Sequence, residues 1–162
     1  MDIFILVTVE DRFNKLIRCG KLAVSGARYE ELQKYDKAVY IYKKISILFP
    51  DLCYLYVKLG RNYFNLKKYH QAISAANQAI ALGCKEGNVY FLLGYCYQQI
   101  GQYKKAIEKL KKAEKLNPAE AQINIYLSNC HRNIGQIEQA AKELDKGFHK
   151  IKSQGRVLVP DT

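Results

Sequence analysis

The chain has 162 residues, of which 49% are hydrophobic and 25% charged, as in an ordinary globular protein with a core of its own. Only three prolines occur, which favours long helices because an interior proline breaks a helix. Lys and Arg number 26 against 15 Asp and Glu. The formal charge of +11 favours an acidic protein surface, an anionic membrane or nucleic acid as partner, without choosing among them. A solvated lysine surface explains the charge equally well.

The cysteines restrict the chemistry further. Their number is five, which is odd, and no CxxC pair occurs. This usage argues against a disulfide framework and against a zinc site. Reduced thiols in a cytosol fit it best, so we predict a cytoplasmic location.

The chain begins with an apolar run over residues 3–9, which is far too short to cross a bilayer. Asp2 stands where a signal peptide would carry basic residues, and no small-residue cleavage site follows. We therefore predict a soluble protein in which residues 1–18 form an apolar extension that packs as a cap on the helices after it. An exposed segment for self-association is the alternative.

From residue 19 onward, small and aromatic residues recur every 34 positions. The recurring residues are Gly26, Gly60 and Gly94; Tyr29, Tyr63 and Tyr97; Tyr35, Tyr69 and Tyr103; and Ala38, Ala72, Ala106 and Ala140. Ser128, His131 and Ile137 take the fourth place in the first three series. Each unit also contains two stretches of roughly a dozen residues with apolar residues at helical spacing, which predicts a pair of helices.

This pattern resembles the tetratricopeptide repeat family. Leu59-Gly60-x-x-Tyr63 matches the first helix of that repeat, and Tyr69-x-x-Ala72 matches the start of its second helix. The resemblance implies an all-α fold, a right-handed superhelix of about four tandem helical hairpins with a concave groove. The predicted domain covers 19–154, as repeats 19–52, 53–86, 87–120 and 121–154, followed by a C-terminal tail at 155–162.

In this family the first helix of each repeat lines the groove, and the resemblance carries those positions onto this chain. The expected peptide contacts come from Tyr54, Val57, Lys58, Arg61, Asn65, Phe91, Tyr95, Gln98, Tyr126, Asn129, Arg132 and Asn133. Their rings offer rigid contact area, their amides can hydrogen-bond a peptide backbone, and their cations favour acidic groups. The implied partner is a protein or peptide segment with apolar and acidic residues. The alternative is that several of these side chains only pack helix on helix.

No sequence pattern indicates catalysis. The chain has no His-x-x-x-His pair for a metal, its glycines are single and repeat-spaced, and its acids show no signature pairing. Cys96 and Cys130 share one repeat position, and His131 occupies a tyrosine position, so we expect all three in the core. We predict no enzymatic activity, no cofactor and no metal.

The second helix of the third repeat carries a run of lysines between residues 104 and 115. A solvated face, with Glu114 pairing to Lys111, is the simplest account. Docking on an acidic protein or an anionic membrane is the alternative, and nucleic acid is disfavoured because no aromatic residues interleave. The sequence after the fourth repeat is too short for a covering helix, so we expect an exposed apolar flank there.

Together these features predict a non-catalytic adaptor or scaffold. It would bind a partner protein or peptide segment in its groove and support assembly of a multiprotein complex. One alternative is a self-assembling structural scaffold or coat protein, a homo-oligomer joined through the repeat ends. Another is a dedicated chaperone for secreted or membrane-associated substrate proteins.

Overall fold

The computed structural model describes residues 2–154, with side chains from residue 11 onward. The tail at 155–162 and the side chains of the apolar run at 3–9 lie outside the described residues. Within the described range the chain forms eight helices and no strand, which confirms the predicted all-α repeat fold. The helices are α1 (Asp2–Glu31), α2 (Tyr35–Leu48), α3 (Cys53–Asn65), α4 (Tyr69–Ala81), α5 (Gly87–Gln99), α6 (Tyr103–Leu116), α7 (Ala121–Asn133) and α8 (Ile137–Ser153).

The same backbone turn joins the two helices of each hairpin. Its central residue has a positive φ and recurs every 34 positions, as Gln33 (φ 55°), Lys67 (φ 57°), Gly101 (φ 75°) and Gly135 (φ 78°). The next residue donates its backbone N–H to the carbonyl five residues earlier, for example from Lys34 to Tyr29 at 2.8 Å. This is a Schellman turn, which satisfies the last carbonyls of the first helix and reverses the chain.

The chain divides into two compact units, Met1–Cys84 and Lys85–Thr162, each containing two hairpins. In the first unit, residues of α2 and α3 share one apolar core that includes Tyr42, Ile45 and Leu59. In the second unit, α6 and α7 meet in the same way through Leu110 and Leu127. Burial of these apolar faces between successive hairpins stabilises a fold in which no hairpin has a core of its own.

Helix α1 is longer than the repeat requires, at 30 residues. It runs without a break through residue 19, where the first repeat was predicted to begin. The described side chains of its first part are open to solvent, with Phe13 and Leu16 each 63% exposed and Ile17 44% exposed. This part of α1 therefore projects apolar side chains outward.

The cysteines require a correction. Cys53 and Cys84 form a disulfide with a Cα–Cα distance of 5.8 Å, so the expectation of reduced thiols throughout is wrong. Cys53 is the first residue of α3, and Cys84 follows α4 in the chain. Because α3 and α4 are antiparallel, the hairpin brings its own two ends together.

The predicted core cysteines behave as expected. Cys96 and Cys130 are unpaired and have no exposed surface. Burial raises the pKa of the Cys96 thiol to about 12 and that of the Cys130 thiol to about 11. Both therefore stay protonated at neutral pH and act as small apolar side chains.

Candidate functional site

An aromatic cluster lies on the first helices of the second unit. The ring of Tyr126 on α7 packs edge-on against two rings of α5, with its centroid 5.4 Å from Phe91 and 4.8 Å from Tyr95. The α5 residues are four positions apart, so they lie on one face of the helix. All three rings are only half-buried. Burial raises the pKa of the Tyr126 phenol, and the neighbouring Tyr95 phenol adds to the effect.

Polar side chains follow Tyr126 along α7. Arg132 donates a hydrogen bond to the Oδ1 atom of Asn129 at 3.1 Å, and Asn133 donates to the Asn129 backbone carbonyl at 2.8 Å. Among the ion pairs of the described residues none involves Arg132, and its side chain is exposed. On α5, the Oε1 atom of Gln98 is shielded and lacks a hydrogen-bond partner. The helices α5 and α7 thus carry rings, amides and the exposed cation of Arg132.

The remaining predicted residues lie on α3 in the first unit. Tyr54 is 57% exposed and Arg61 is also exposed, whereas Val57 is buried at 9%. Lys58 is not an open cation, because its Nζ atom lies 2.7 Å from a carboxylate oxygen of Glu30. Its charge is therefore balanced inside the chain, and Arg61 is left as the accessible positive group of α3.

Glu30 is the central acceptor of this first-unit site. It also accepts a hydrogen bond from Asn62 at 2.6 Å and a side-chain hydrogen bond from Tyr42. Burial and the nearby Glu30 charge raise the pKa of Tyr42 above its ordinary value. The pair of Glu30 and Lys58 could have been predicted, since both lie on the first helices of successive hairpins and carry opposite charges.

A second polar cluster, which sequence reasoning missed, joins α6, α7 and α8. The side-chain amide of Asn124 is completely buried and donates to Glu114 at 2.8 Å and to Glu143 at 2.7 Å. Lys150 donates to the Asn124 Oδ1 atom at 2.6 Å, and Lys146 donates to Glu143 at 2.8 Å. The predicted pairing of Glu114 with Lys111 is therefore wrong, because the carboxylate points toward α7 rather than along its own helix.

This polar cluster holds Glu143 in its charged form. Burial alone would raise the pKa of Glu143, but hydrogen bonds from Lys146 and Asn124 and the Lys146 charge outweigh it and lower the pKa. Conversely, the hydrogen bond to Glu143 raises the pKa of Lys146. The cluster is fully satisfied and fixes the position of α8 on α7.

The described side chains include no group of three His, Cys, Asp or Glu residues placed to hold a metal ion. His131 is buried at 7%, as predicted, with its Nδ1 atom 2.6 Å from the Gln136 amide oxygen. Over the described residues, none of the helices combines the length and the apolar character needed to cross a bilayer.

Two segments match models of the tetratricopeptide repeat, residues 87–120 and residues 54–82. Their positions coincide with α5–α6 and with most of α3–α4. The chain contains tetratricopeptide repeats. The resemblance predicted from the glycine, tyrosine and alanine spacing is thereby confirmed.

Solved structures extend this tetratricopeptide likeness over most of the chain. A crystal structure of MamA superimposes with a TM-score of 0.81 at 24% identity, covering 86% of this chain and 81% of the other. A second MamA structure gives a TM-score of 0.79 at 24% identity, covering 89% and 79%. MamA from residue 41 to its end, from Desulfovibrio magneticus RS-1, gives 0.80 at 25% identity, covering 84% and 77%. A search of curated proteins found no match.

Proposed function

We propose that this tetratricopeptide protein is a non-catalytic adaptor that captures a peptide segment of a partner protein on its first-helix faces. The observation that carries the proposal is the half-exposed aromatic cluster of Phe91, Tyr95 and Tyr126, with the exposed Arg132 farther along α7. Rings that are fixed by neighbouring rings lose little entropy on binding, and a guanidinium on the same helix can add directional hydrogen bonds. Support of multiprotein assembly is the corresponding role in the cell.

The chemistry of the partner follows from the charges. Arg132 and Arg61 are exposed, whereas Lys58 is balanced by Glu30. We therefore propose a partner segment with apolar residues for the rings and a carboxylate for Arg132. We expect the half-buried side-chain amide of Asn129 to hydrogen-bond the backbone of such a segment.

A displayed peptide library tests this proposal, because it offers the surface many combinations of apolar and charged residues at once. We expect selection on the full chain to enrich short sequences that combine aromatic or aliphatic residues with Asp or Glu. Binding of a selected peptide, measured by calorimetry, should weaken about 30-fold in Tyr126→Ala, as for an interface hot spot. Arg132→Glu should reverse the acidic preference.

Tyr40→Ala provides the matched control, because Tyr40 is an exposed tyrosine (59%) on the second helix of its hairpin. Its loss should leave peptide affinity unchanged. If Tyr126→Ala binds selected peptides as tightly as the parent while Tyr40→Ala does not, the proposed surface is wrong.

The cellular location stays a prediction. A cytoplasmic site was predicted from the odd cysteine count, and the Cys53–Cys84 disulfide removes that argument because disulfides persist mainly in oxidising compartments. The proposed peptide capture does not depend on this disulfide, because the disulfide lies at the ends of α3 and α4 and the aromatic cluster lies on α5 and α7.

A further inference from the structure

The last helix, α8, has an apolar face that the rest of the described chain leaves uncovered. Ile137 is 64% exposed, Leu144 38% and Phe148 47%, while Ala141 is exposed and Ile151 half-buried. These five residues alternate spacings of four and three along the helix, which is the pattern of a helix that pairs with another helix. We call them the α8 stripe.

The repeat itself shows that this position is normally covered. Leu110 of α6 lies one repeat before Leu144 and is completely buried in the core that includes Ile123 and Leu127 of α7. Leu144 stands in the same place on α8 without such a neighbour. A helix of comparable apolar character is therefore the natural occupant of the stripe.

A head-to-tail continuation of the stack does not provide that helix. Three repeats before Ile123, Leu127 and Cys130, the corresponding face of α1 carries Lys21, Ser25 and Arg28, all exposed. Placing these polar groups on the α8 stripe would remove their water without offering partners. Open-ended filaments built from α1 and α8 are thus disfavoured, and a closed contact is favoured.

The α8 stripe is instead complementary to itself. An antiparallel pairing of two α8 helices around a two-fold axis near Lys146 places Leu144 beside Phe148 of the second copy. The same register places Ala141 beside Ile151 of the second copy, so a small side chain meets a large one. It also brings Glu138 within reach of Lys152 of the second copy. Because the contact is symmetric, this ion pair occurs twice in each dimer.

The charges around the α8 stripe fit this arrangement. Lys146 and Lys150 point away from it and are engaged with Glu143 and Asn124 inside their own chain. The charged residues directly after Ile137, Leu144 and Ile151 are Glu138, Asp145 and Lys152, and all three are exposed. Lys142 and His149 are also exposed but lie farther round the helix from the stripe. In the antiparallel register, Asp145 lies next to Asp145 of the second copy, which weakens the contact.

We infer that the protein forms a two-fold homodimer through antiparallel pairing of the α8 stripes. Because α8 has 17 residues and is only about 25 Å long, the buried area is small and the dimer is weak and concentration-dependent. The dimer contact uses α8, whereas the aromatic cluster lies on α5 and α7, so this inference does not rest on the proposed peptide capture.

Sedimentation equilibrium of the full chain at about 10 to 500 μM tests the dimer. We expect the average mass to rise from monomer toward dimer over this range. Leu144→Arg should leave a monomer at every concentration, with unchanged helical circular dichroism. Ile47→Arg is the matched control, because Ile47 is an exposed aliphatic residue (80%) on α2.

Charge exchange tests the register itself. Glu138→Lys and Lys152→Glu should each weaken the dimer about tenfold, since either change turns both attractive pairs into repulsive ones, whereas the double variant should return to parental affinity. Asp145→Asn should tighten it. A parental chain that stays monomeric at 500 μM overturns the inference, even if deletion of 155–162 then produces a dimer. A dimer that Leu144→Arg does not dissociate also overturns it.

Discussion

Gly94 lies where α5 packs tightly against Leu110 of α6. A Cβ atom at this position would lie 2.5 Å from Cγ of Leu110 and 3.2 Å from its backbone nitrogen. Leu110 is completely buried and cannot move without disturbing the core of the second unit. The recurring small residue of the repeat is therefore a steric requirement for the hairpin rather than a flexible point.

We expect Gly94→Ala to lower the free energy of unfolding by about 1–3 kcal/mol, because the added methyl group overpacks the α5–α6 contact. Urea unfolding followed by circular dichroism measures the change. Gly20→Ala is the control, since no atom lies within 4 Å of a Cβ there, and it should stabilise α1 by up to about 1 kcal/mol. An equal response to both substitutions would contradict the steric explanation.

Glu143 makes the stability of the second unit depend on pH. Its pKa in the folded state is lowered from the ordinary value of 4.5, so the unfolded chain binds its proton more tightly. The stabilisation is therefore complete above pH 4.5 and is lost as the pH falls through the lower, folded-state pKa.

Replacing Glu143 by Gln should cost about 1–2 kcal/mol of unfolding free energy at pH 7, where the buried carboxylate accepts charge-assisted hydrogen bonds. The difference between parent and variant should shrink as the pH falls below 4.5. Denaturant unfolding at several pH values measures both curves. Glu138→Gln, at an exposed position on the same helix, should show no such convergence.

At the scale of the element, the turn between paired helices has a fixed geometry but a variable residue. Gly101 and Gly135 adopt the positive φ without a steric penalty, whereas Gln33 and Lys67 adopt it with a side chain present. The backbone hydrogen bonds are the same at all four turns, for example Lys68 to Tyr63 at 2.9 Å and Gln102 to Tyr97 at 2.9 Å. The hairpin therefore imposes the conformation on whichever residue stands there.

Lys67→Gly should accordingly raise the free energy of unfolding by about 0.5–1 kcal/mol, because removal of the left-handed strain exceeds the entropy that glycine adds to the unfolded chain. Gly101→Lys is the reciprocal variant and should destabilise by a similar or larger amount. Thermal melts of both variants and the parent measure the effect. A loss of stability in Lys67→Gly would show that the lysine side chain contributes a contact of its own.

The second repeat carries a further constraint, the disulfide between the start of α3 and the residue after α4. The cysteines are separated by 31 positions, and closing a loop of that size restricts the unfolded chain by about 3–4 kcal/mol. We expect reduction to lower the stability of residues 53–84 by this amount.

Hydrogen exchange with mass spectrometry measures the effect of reduction helix by helix. Amides of α3 and α4 should exchange faster in a chain treated with a phosphine reductant, while those of α7 should not change. Cys53→Ser should reproduce the reduced behaviour without reductant. Cys19→Ser is the control for loss of a thiol, because Cys19 is unpaired and only half-buried. Equal acceleration in α7 would contradict a constraint local to the second repeat.

These elements show which features a single sequence reveals. Positions that recur with the period, such as Gly94 and Ala106, predicted the hairpins and their contacts because each repeat solves the same packing problem. Cys53 and Cys84 occupy different positions in the period, so their proximity comes from the closed hairpin and not from the pattern. Glu114 turns inward because the buried amide of Asn124 on α7 donates a hydrogen bond to it. Residue spacing along α6 does not reveal such a contact between helices.

The candidate site was predictable to a similar extent. The predicted rings of Phe91, Tyr95 and Tyr126 do lie together, since the first helices of neighbouring repeats are close in space. Exposure was less predictable, because Val57 is covered and Lys58 is neutralised by a partner from another helix. The exposure of the α8 stripe depends on whether another helix covers the fourth repeat. The 34-residue spacing of the repeats does not predict this.

For the whole molecule, the governing quantity is the formal charge of +11. Excess lysine charge repels itself in the compact chain, and added salt screens that repulsion within a distance of about 8–10 Å at physiological strength. Salt would weaken mainly the two ion pairs of Glu108, which lie at the surface and contribute little. The other ion pairs of the described residues are partly buried and are screened less. Screening of the net charge should therefore dominate the response of the fold to salt.

We expect the melting temperature to rise by about 2–4 °C, equivalent to about 1 kcal/mol, when NaCl is raised from 20 to 300 mM. The same addition should weaken binding of a selected acidic peptide, because attraction between unlike charges is screened as well. Differential scanning calorimetry and peptide titration on one preparation measure the two opposite responses. An uncharged osmolyte at equal osmolality is the control, because it excludes solvent without screening charge. A melting temperature that falls with NaCl would show that specific ion pairs outweigh the net charge.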